Sequence, residues 1–87
     1  MNVQDLFELF ELPPETAGAA KTQIIRDREV LIENHRGLIE YSEELISVDS
    51  SDGIISVRGS ALRVRAMTDK RIRISGRIAA LEFGSYA

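Results

Sequence analysis

The stretch that decides the fold lies at residues 71–78, where the sequence reads RIRISGRI. Isoleucine or glycine occupies every second position of this stretch, and arginine or serine occupies the positions between them. Successive side chains of a β-strand point to opposite faces, so the alternation predicts a strand with one apolar and one charged face. Residues 53–59 (GIISVRG) and 62–66 (LRVRA) alternate in the same way. We therefore predict an all-β fold, a small antiparallel meander or sandwich-like sheet, with a short β-solenoid as the alternative.

Turn-forming residues separate these segments and divide the chain. Asp49 to Gly53 predicts a tight turn, and Gly37 is expected to take a positive φ between two strands. We expect one β domain at residues 22–87, preceded by a linker at residues 15–21.

Residues 1–14 predict a short amphipathic helix that Pro13 and Pro14 end. A helix this short needs a surface to dock on, either the domain's own sheet or a partner or membrane. Phe7 and Phe10 on its apolar face are therefore candidate interaction residues.

Composition narrows the class of protein. The 87 residues include no cysteine, which excludes a disulfide scaffold and thiolate metal ligands and favours a cytoplasmic location. No apolar run reaches the roughly 18–20 residues that span a bilayer. Residues 1–53 contain 12 acidic and 4 basic side chains, whereas residues 54–87 contain 2 acidic and 7 basic ones. The two halves could neutralise each other within one fold, or they could align copies of the chain.

Residues 30–42, VLIENHRGLIEYS, resemble the signature of the YabP/YqfC sporulation family. The spacing of apolar residues and glycines in residues 53–64 and 72–83 is similar to that family as well. Within the family the chain looks closer to the YqfC branch. The resemblance implies a protein of the mother cell of endospore-forming bacteria, cytoplasmic and peripheral to the forespore membrane. It also implies a membrane-bound partner of the YqfD type and supplies no catalytic residues.

His35 is the only histidine and the natural centre for any chemistry. A lone histidine without cysteines is a poor metal site, so we predict no metal, cofactor or catalytic residue. We expect Asn34 and His35 to hydrogen-bond a tight turn, and we keep Glu33, Asn34, His35 and Arg36 as candidate binding contacts. The alternative is a small ligand-binding or hydrolytic module in which His35 acts with Glu33 and Glu40.

Four arginines of one parity predict a charged sheet face: Arg63, Arg65, Arg71 and Arg73. Like charges opposite each other are unfavourable, so an anion should relieve them. We expect the acidic half of this chain or of another copy first, and an anionic membrane surface second. The pI of about 5.1 and the absence of aromatics interleaved with the arginines make nucleic acid the least fitting anion, so we expect no nucleic-acid partner.

These features together predict a non-enzymatic protein that binds or assembles, with a homo-oligomer among the expected partners. Head-to-tail stacking of copies through opposite charge is a further alternative, which salt should weaken.

Overall fold

The computed structural model describes residues 19–84, which fold into six β-strands without a helix. The strands are β1 (Lys21–Ile25), β2 (Glu29–Glu33), β3 (Gly37–Tyr41), β4 (Leu45–Ser50), β5 (Gly53–Met67) and β6 (Arg71–Gly84). The all-β prediction is confirmed for this part of the chain. Within it, no helix has the length and apolar composition that crossing a membrane requires.

All six strands belong to one open sheet in the order β1-β2-β6-β5-β4-β3. Every neighbouring pair is antiparallel. The β-solenoid alternative is therefore wrong, because the coils of a β-helix stack as parallel strands. The alternation in the sequence is common to both architectures and could not separate them.

The core is built from the apolar positions of the alternating segments. Nine side chains are at most 4% exposed and form one cluster: Val30, Ile32, Ile46, Val48, Ile55, Val57, Leu62, Ile72 and Ile74. They come from β2, from β4 and from both parts of the long β5–β6 hairpin. The apolar face of a sheet is buried only when another layer of structure packs on it. This sheet curls so that the part containing β2 and the part containing β4 pack on each other.

The bend of the β5–β6 hairpin produces this curl. Its strands are 15 and 14 residues long, and their pairing shifts register at three places, the first between Arg58 and Gly59. Ala61 takes a φ of 52° within the next shift. At Gly59 the backbone of Arg77 comes so close that a Cβ atom would lie 1.9 Å from its carbonyl oxygen. Bulges of this kind bend a strand and increase its twist, which folds the hairpin over.

The two short hairpins, β1–β2 and β3–β4, form backbone hydrogen bonds to the long β5–β6 hairpin at this bend. Their turn carbonyls accept four backbone hydrogen bonds: Gly59 N to Glu44 O (3.1 Å), Leu62 N to Glu43 O (2.9 Å), Gly76 N to Arg28 O (3.0 Å) and Ile78 N to Asp27 O (2.7 Å). Backbone groups that the bulges release from the ladder thereby find partners, as buried backbone groups must.

The structure confirms some of the predicted boundaries and corrects others. The turn predicted at residues 49–53 is confirmed, since β4 ends at Ser50 and β5 begins at Gly53. A turn at residues 26–28, where Arg26 has a φ of 54°, interrupts what the sequence presents as continuous alternation. The first strand begins at Lys21, one residue before the predicted start of the domain. The predicted helix at residues 1–14 and linker residues 15–18 lie outside the described residues.

Replacing Gly59 by alanine should destabilise the domain by about 2 kcal/mol or more, because the new methyl group collides with the Arg77 carbonyl. Gly84→Ala is the matched control, since its Cβ would meet nothing closer than 3.8 Å. The free energy of unfolding of the control, measured by urea denaturation, should stay within about 0.5 kcal/mol of the parent. Equal stability of the two variants would show that the hairpin does not bend at Gly59.

Candidate functional site

Residues 34–36 connect β2 to β3 at the end of the sheet away from the bend. The backbone N–H groups of Asn34 and His35 both donate to the Lys70 carbonyl oxygen, at 2.6 and 3.3 Å, and Arg36 N donates to Asp49 O at 2.8 Å. The Asn34 side chain also donates from Nδ2 to the Ala19 carbonyl oxygen at 3.1 Å. This connection therefore ties together the start of β1, the β5–β6 turn and the end of β4.

The His35 imidazole is the buried centre of this connection, with 5% of its surface exposed. Its Nε2 lies 3.0 Å from the Thr68 carbonyl oxygen, and its Nδ1 lies 3.0 Å from the Gly37 nitrogen. A carbonyl only accepts and a backbone N–H only donates, so the geometry requires the neutral tautomer with hydrogen on Nε2. The ring thus joins the end of β5 to the start of β3.

The expectation that Asn34 and His35 hydrogen-bond a tight turn holds only for the local bond between His35 Nδ1 and Gly37 N, because the Asn34 side chain bonds Ala19 outside the connection. Gly37 has a φ of 141°, as expected from its place after the connection, and Asn34 has a φ of 65°. Asparagine tolerates the left-handed region better than most residues, which explains why it stands there.

The two glutamates expected near His35 make other contacts. Glu33 lies half-buried in β2, opposite Lys21 on one side and Arg71 on the other. Glu40 is exposed on β3 opposite Ser47. Backbone atoms already occupy both ring nitrogens of His35, so neither carboxylate can act through them. Among residues 19–84 no group of three or more metal-ligating side chains comes together.

The arginine face follows the predicted strands, but the register staggers its charges. Arg71 lies opposite Glu33, Arg73 opposite Leu31 and Ala66, and Arg63 opposite Ser75. None of these arginines faces another across the ladder, so the repulsion expected from the sequence is largely absent.

Ion pairs within the chain take up part of the positive charge. Arg73 pairs with Glu29, and Arg58 pairs with Glu82. Arg65 donates from Nε to the Ser75 hydroxyl at 2.7 Å. Internal neutralisation, the first of the expected modes, thus holds for part of this face. Exposed pairs of this kind contribute little stability.

Sequence reasoning missed the apolar character of the two edge strands. Solvent reaches about half of the surface of Ile24 and Ile25 in β1 and of Ile39 and Tyr41 in β3. The available signal was a pair of consecutive apolar residues in each edge strand, Ile24 and Ile25 in β1 and Leu38 and Ile39 in β3. The second pair lies where the β3–β4 register shifts. Phe7 and Phe10 lie outside the described residues and stay predictions.

The fold defines a small all-β domain. The motif at residues 33–41 includes the hydrogen-bonded connection of residues 34–36, which forms a structural joint between β2 and β3. The model of the YabP family matches residues 16–87, so the chain belongs to the YabP family. No curated protein matches the chain. No solved structure matches it either.

Replacing His35 by alanine should lower the free energy of unfolding by about 2–3 kcal/mol, because a buried side chain is removed and two part-buried backbone groups lose their partners. The control Lys70→Ala removes an exposed side chain from the same joint but keeps the carbonyl that accepts from Asn34 and His35. Its stability should change by no more than about 0.5 kcal/mol.

The tautomer of His35 provides an independent test. Long-range ¹H–¹⁵N spectra, recorded where the ring is neutral, should show hydrogen on Nε2 and a bare Nδ1. A ring protonated on Nδ1, or an even mixture of tautomers, would contradict the assigned hydrogen bonds.

Proposed function

We propose that this protein is a non-enzymatic assembly module of the YqfC type, which acts in the mother cell and binds a membrane-bound partner during spore formation. Membership of the YabP family is consistent with a sporulation-related role. The finer assignment rests on the residues of the family motif between positions 33 and 41.

The observation that supports the proposal is the placement of apolar surface. The core cluster fills the inside of the curled sheet, while large apolar side chains of the edge strands face solvent. Open strand edges offer backbone N–H and C=O groups to another chain and are common docking sites. Exposed apolar side chains beside such an edge add the contact area that specific recognition needs.

The position of the family motif is consistent with an edge strand that binds a partner. Asn34 and His35 hold the β2–β3 connection, and β3 follows directly after them. A rigid connection holds the edge strand in one position for a partner, and preorganised surfaces bind at lower entropic cost. On this proposal the motif residues support binding by holding β3 in position, not by reacting with a substrate.

The hydrolytic alternative centred on His35 has no comparable support. General-base catalysis requires a ring nitrogen within hydrogen-bonding reach of a substrate proton. Thr68 O and Gly37 N already hold both nitrogens in a residue that is 5% exposed.

The predicted N-terminal helix is the element we assign to the membrane-bound partner of the YqfD type. Its apolar face, with Phe7 and Phe10, lies in residues 2–12, which precede the region that matches the family model. On this view the domain stays cytoplasmic and reaches the forespore membrane through that partner.

A pull-down from sporulating cells tests the proposal. The full-length tagged chain should recover one membrane protein, and the variant Phe7→Ser/Phe10→Ser should lose it while its β-rich circular dichroism persists. The control Glu8→Gln/Glu11→Gln alters the same segment without removing apolar side chains and should retain the partner. Normal spore formation in cells that carry no copy of the gene, or a hydrolytic activity that depends on His35, would overturn the proposal.

A further inference from the structure

The arginine face covers the outer side of one half of the curled sheet, formed by β1, β2, β6 and the end of β5. In β2 and β6 the side chains of Val30, Ile32, Ile72 and Ile74 are buried in the core, so the residues between them point outward. Residues opposite each other in a ladder lie on one face, so β1 and β5 contribute to the same surface. Five cations share it: Lys21, Arg63, Arg65, Arg71 and Arg73.

The chain neutralises only part of this positive charge. Glu29 pairs with Arg73, and Glu33 lies half-buried in the ladder beside Arg71. Five cations against these two carboxylates leave the strands of this face with a net charge of +3. Three of the cations form no ion pair with any residue between 19 and 84: Lys21, Arg63 and Arg71.

The outer side of the other half of the sheet has the opposite sign. Ile46, Val48, Ile55 and Val57 are buried there, so the residues between them point outward. The described strands of this half place three carboxylates and one cation on the outside: Glu40, Asp49, Glu82 and Arg58. The curl thus converts the uneven charge of the sequence into two outer faces, one basic and one acidic.

The make-up of the arginine face argues against a protein or a nucleic acid as its occupant. The centres of protein–protein interfaces are depleted in charged residues and enriched in aromatic ones. Ile25, which is 49% exposed, is the one large apolar side chain of this face, among the described residues, that solvent reaches so freely. Single-stranded nucleic acid binds by stacking on aromatic rings, and the described strands of this face contain none.

The acidic face of a second copy offers too few free carboxylates to match these cations. Glu82 already pairs with Arg58, and Asp49 is half-buried. Glu40 is the one carboxylate on the described strands of that face that is both exposed and outside an ion pair. A surface of dense and mobile negative charge matches the arginine face better.

We propose that the arginine face binds the surface of an anionic phospholipid bilayer directly, with its guanidinium groups against lipid phosphates and Ile25 among the headgroups. A guanidinium group donates two parallel hydrogen bonds to phosphate oxygens. Lipid headgroups move laterally, so they can gather around arginines that the sheet register staggers. The inference deepens the proposed function, because it gives the protein a contact with the membrane of its own; it rests on that function only for which membrane is bound.

The net charge of −3 of the whole chain does not prevent this contact. At about 0.1 M salt the Debye length is about 10 Å, so charges farther from the lipid are largely screened. The acidic face lies behind two packed layers of sheet, whose backbones are about 10 Å apart. The membrane therefore interacts mainly with the charges of the face that is turned toward it.

The interaction should be weak, reversible and sensitive to salt. One basic residue near an anionic surface raises the partition coefficient about fivefold, so a net charge of +3 favours anionic over neutral lipid by about a hundredfold. At about 0.5 M salt the Debye length falls to about 4 Å, and most of this preference should disappear.

Co-sedimentation of the full-length chain with vesicles measures the partition coefficient. Vesicles of phosphatidylcholine with about 30 mol% phosphatidylglycerol should bind the chain at about 0.1 M salt, and pure phosphatidylcholine vesicles should not. Arg63→Gln and Arg71→Gln should each lower the partition coefficient about fivefold. Both side chains are exposed and unpaired among the described residues, so circular dichroism should show an unchanged fold. The matched control Arg58→Gln removes the same charge from the acidic face and should leave the coefficient within about twofold of the parent.

A fluorescent reporter tests which face meets the lipid. The chain contains no tryptophan, so Ile25→Trp introduces a single one on the arginine face. Its emission should move to shorter wavelength when anionic vesicles are added, since indole rings settle at the level of the headgroups. The control Ile39→Trp replaces a side chain of similar exposure at the opposite edge of the sheet, and its emission should not respond.

Four outcomes would overturn the inference. They are a parent chain that does not bind anionic vesicles, equal binding to neutral vesicles, an equal loss in Arg58→Gln and Arg63→Gln, and a response of Ile39→Trp in place of Ile25→Trp. If the parent does not bind vesicles, retention on a DNA duplex would assign the face to nucleic acid, and self-association that Arg63→Gln abolishes would assign it to a second copy. Vesicle binding gained only by Glu8→Gln/Glu11→Gln would assign it to residues 1–18.

The pull-down, performed in detergent extract, separates this inference from the proposed function. A parent chain that recovers the membrane protein but binds no vesicles would leave the proposed function standing and remove the lipid contact. A parent chain that binds anionic vesicles as described but recovers no membrane protein would keep the lipid contact and remove the proposed partner.

Discussion

The close approach of two backbones at the bend of the β5–β6 hairpin is the constraint on which the rest of the structure depends. Within residues 19–84 there is no helix to cover the sheet, so its apolar face can be buried only if the sheet folds over itself. Gly59 lies against the Arg77 carbonyl, and any side chain there would force the strands apart. The core cluster exists because this bend brings β2 and β4 to the same interior. A chain of this size has a small margin of stability, so the loss of that packing would leave little to hold it folded.

The other end of the curled sheet is closed by polar rather than apolar contacts. His35 and the backbone of residues 34–36 connect β2 to β3 and bind the ends of β4 and β5. The most distinctive residues of the family motif therefore serve as a joint. Because the joint lies next to β3, it helps to hold in position an edge strand that carries exposed apolar side chains. This connection therefore links the stability of the fold to the edge strand that we propose binds a partner.

The sequence predicts the all-β fold class well, because side-chain alternation and the backbone preferences of turn residues are local properties of the chain. Asp52-Gly53 and Gly37 mark turns through backbone preferences that the residues themselves impose. Antiparallel pairing was the leading prediction and is confirmed. The strand order was not accessible in the same way, since it depends on pairing between segments far apart in the sequence, such as β2 with β6. The turn at residues 26–28 was missed because neither glycine nor proline marks it and Arg26 takes the left-handed conformation.

The candidate site was only partly predictable for the same reason. A connecting role for Asn34 and His35 follows from their residue types, but one partner of the ring, the Thr68 carbonyl, lies 33 residues away in the sequence. Cross-strand register decides which arginines face glutamates, and no periodicity reveals it. The bulge that exposes Ile39 beside Glu40 is likewise a property of the β3–β4 pairing.

Residue-resolved hydrogen exchange of the full-length chain tests the account most directly. The account predicts that the Gly59 and Leu62 amides, which donate to the Glu44 and Glu43 carbonyls at the bend, are protected from exchange. It also predicts protection of the Gly37 amide, which donates to His35 Nδ1 at the other end of the sheet. Free exchange of the Gly59 and Leu62 amides in the folded protein would contradict the account.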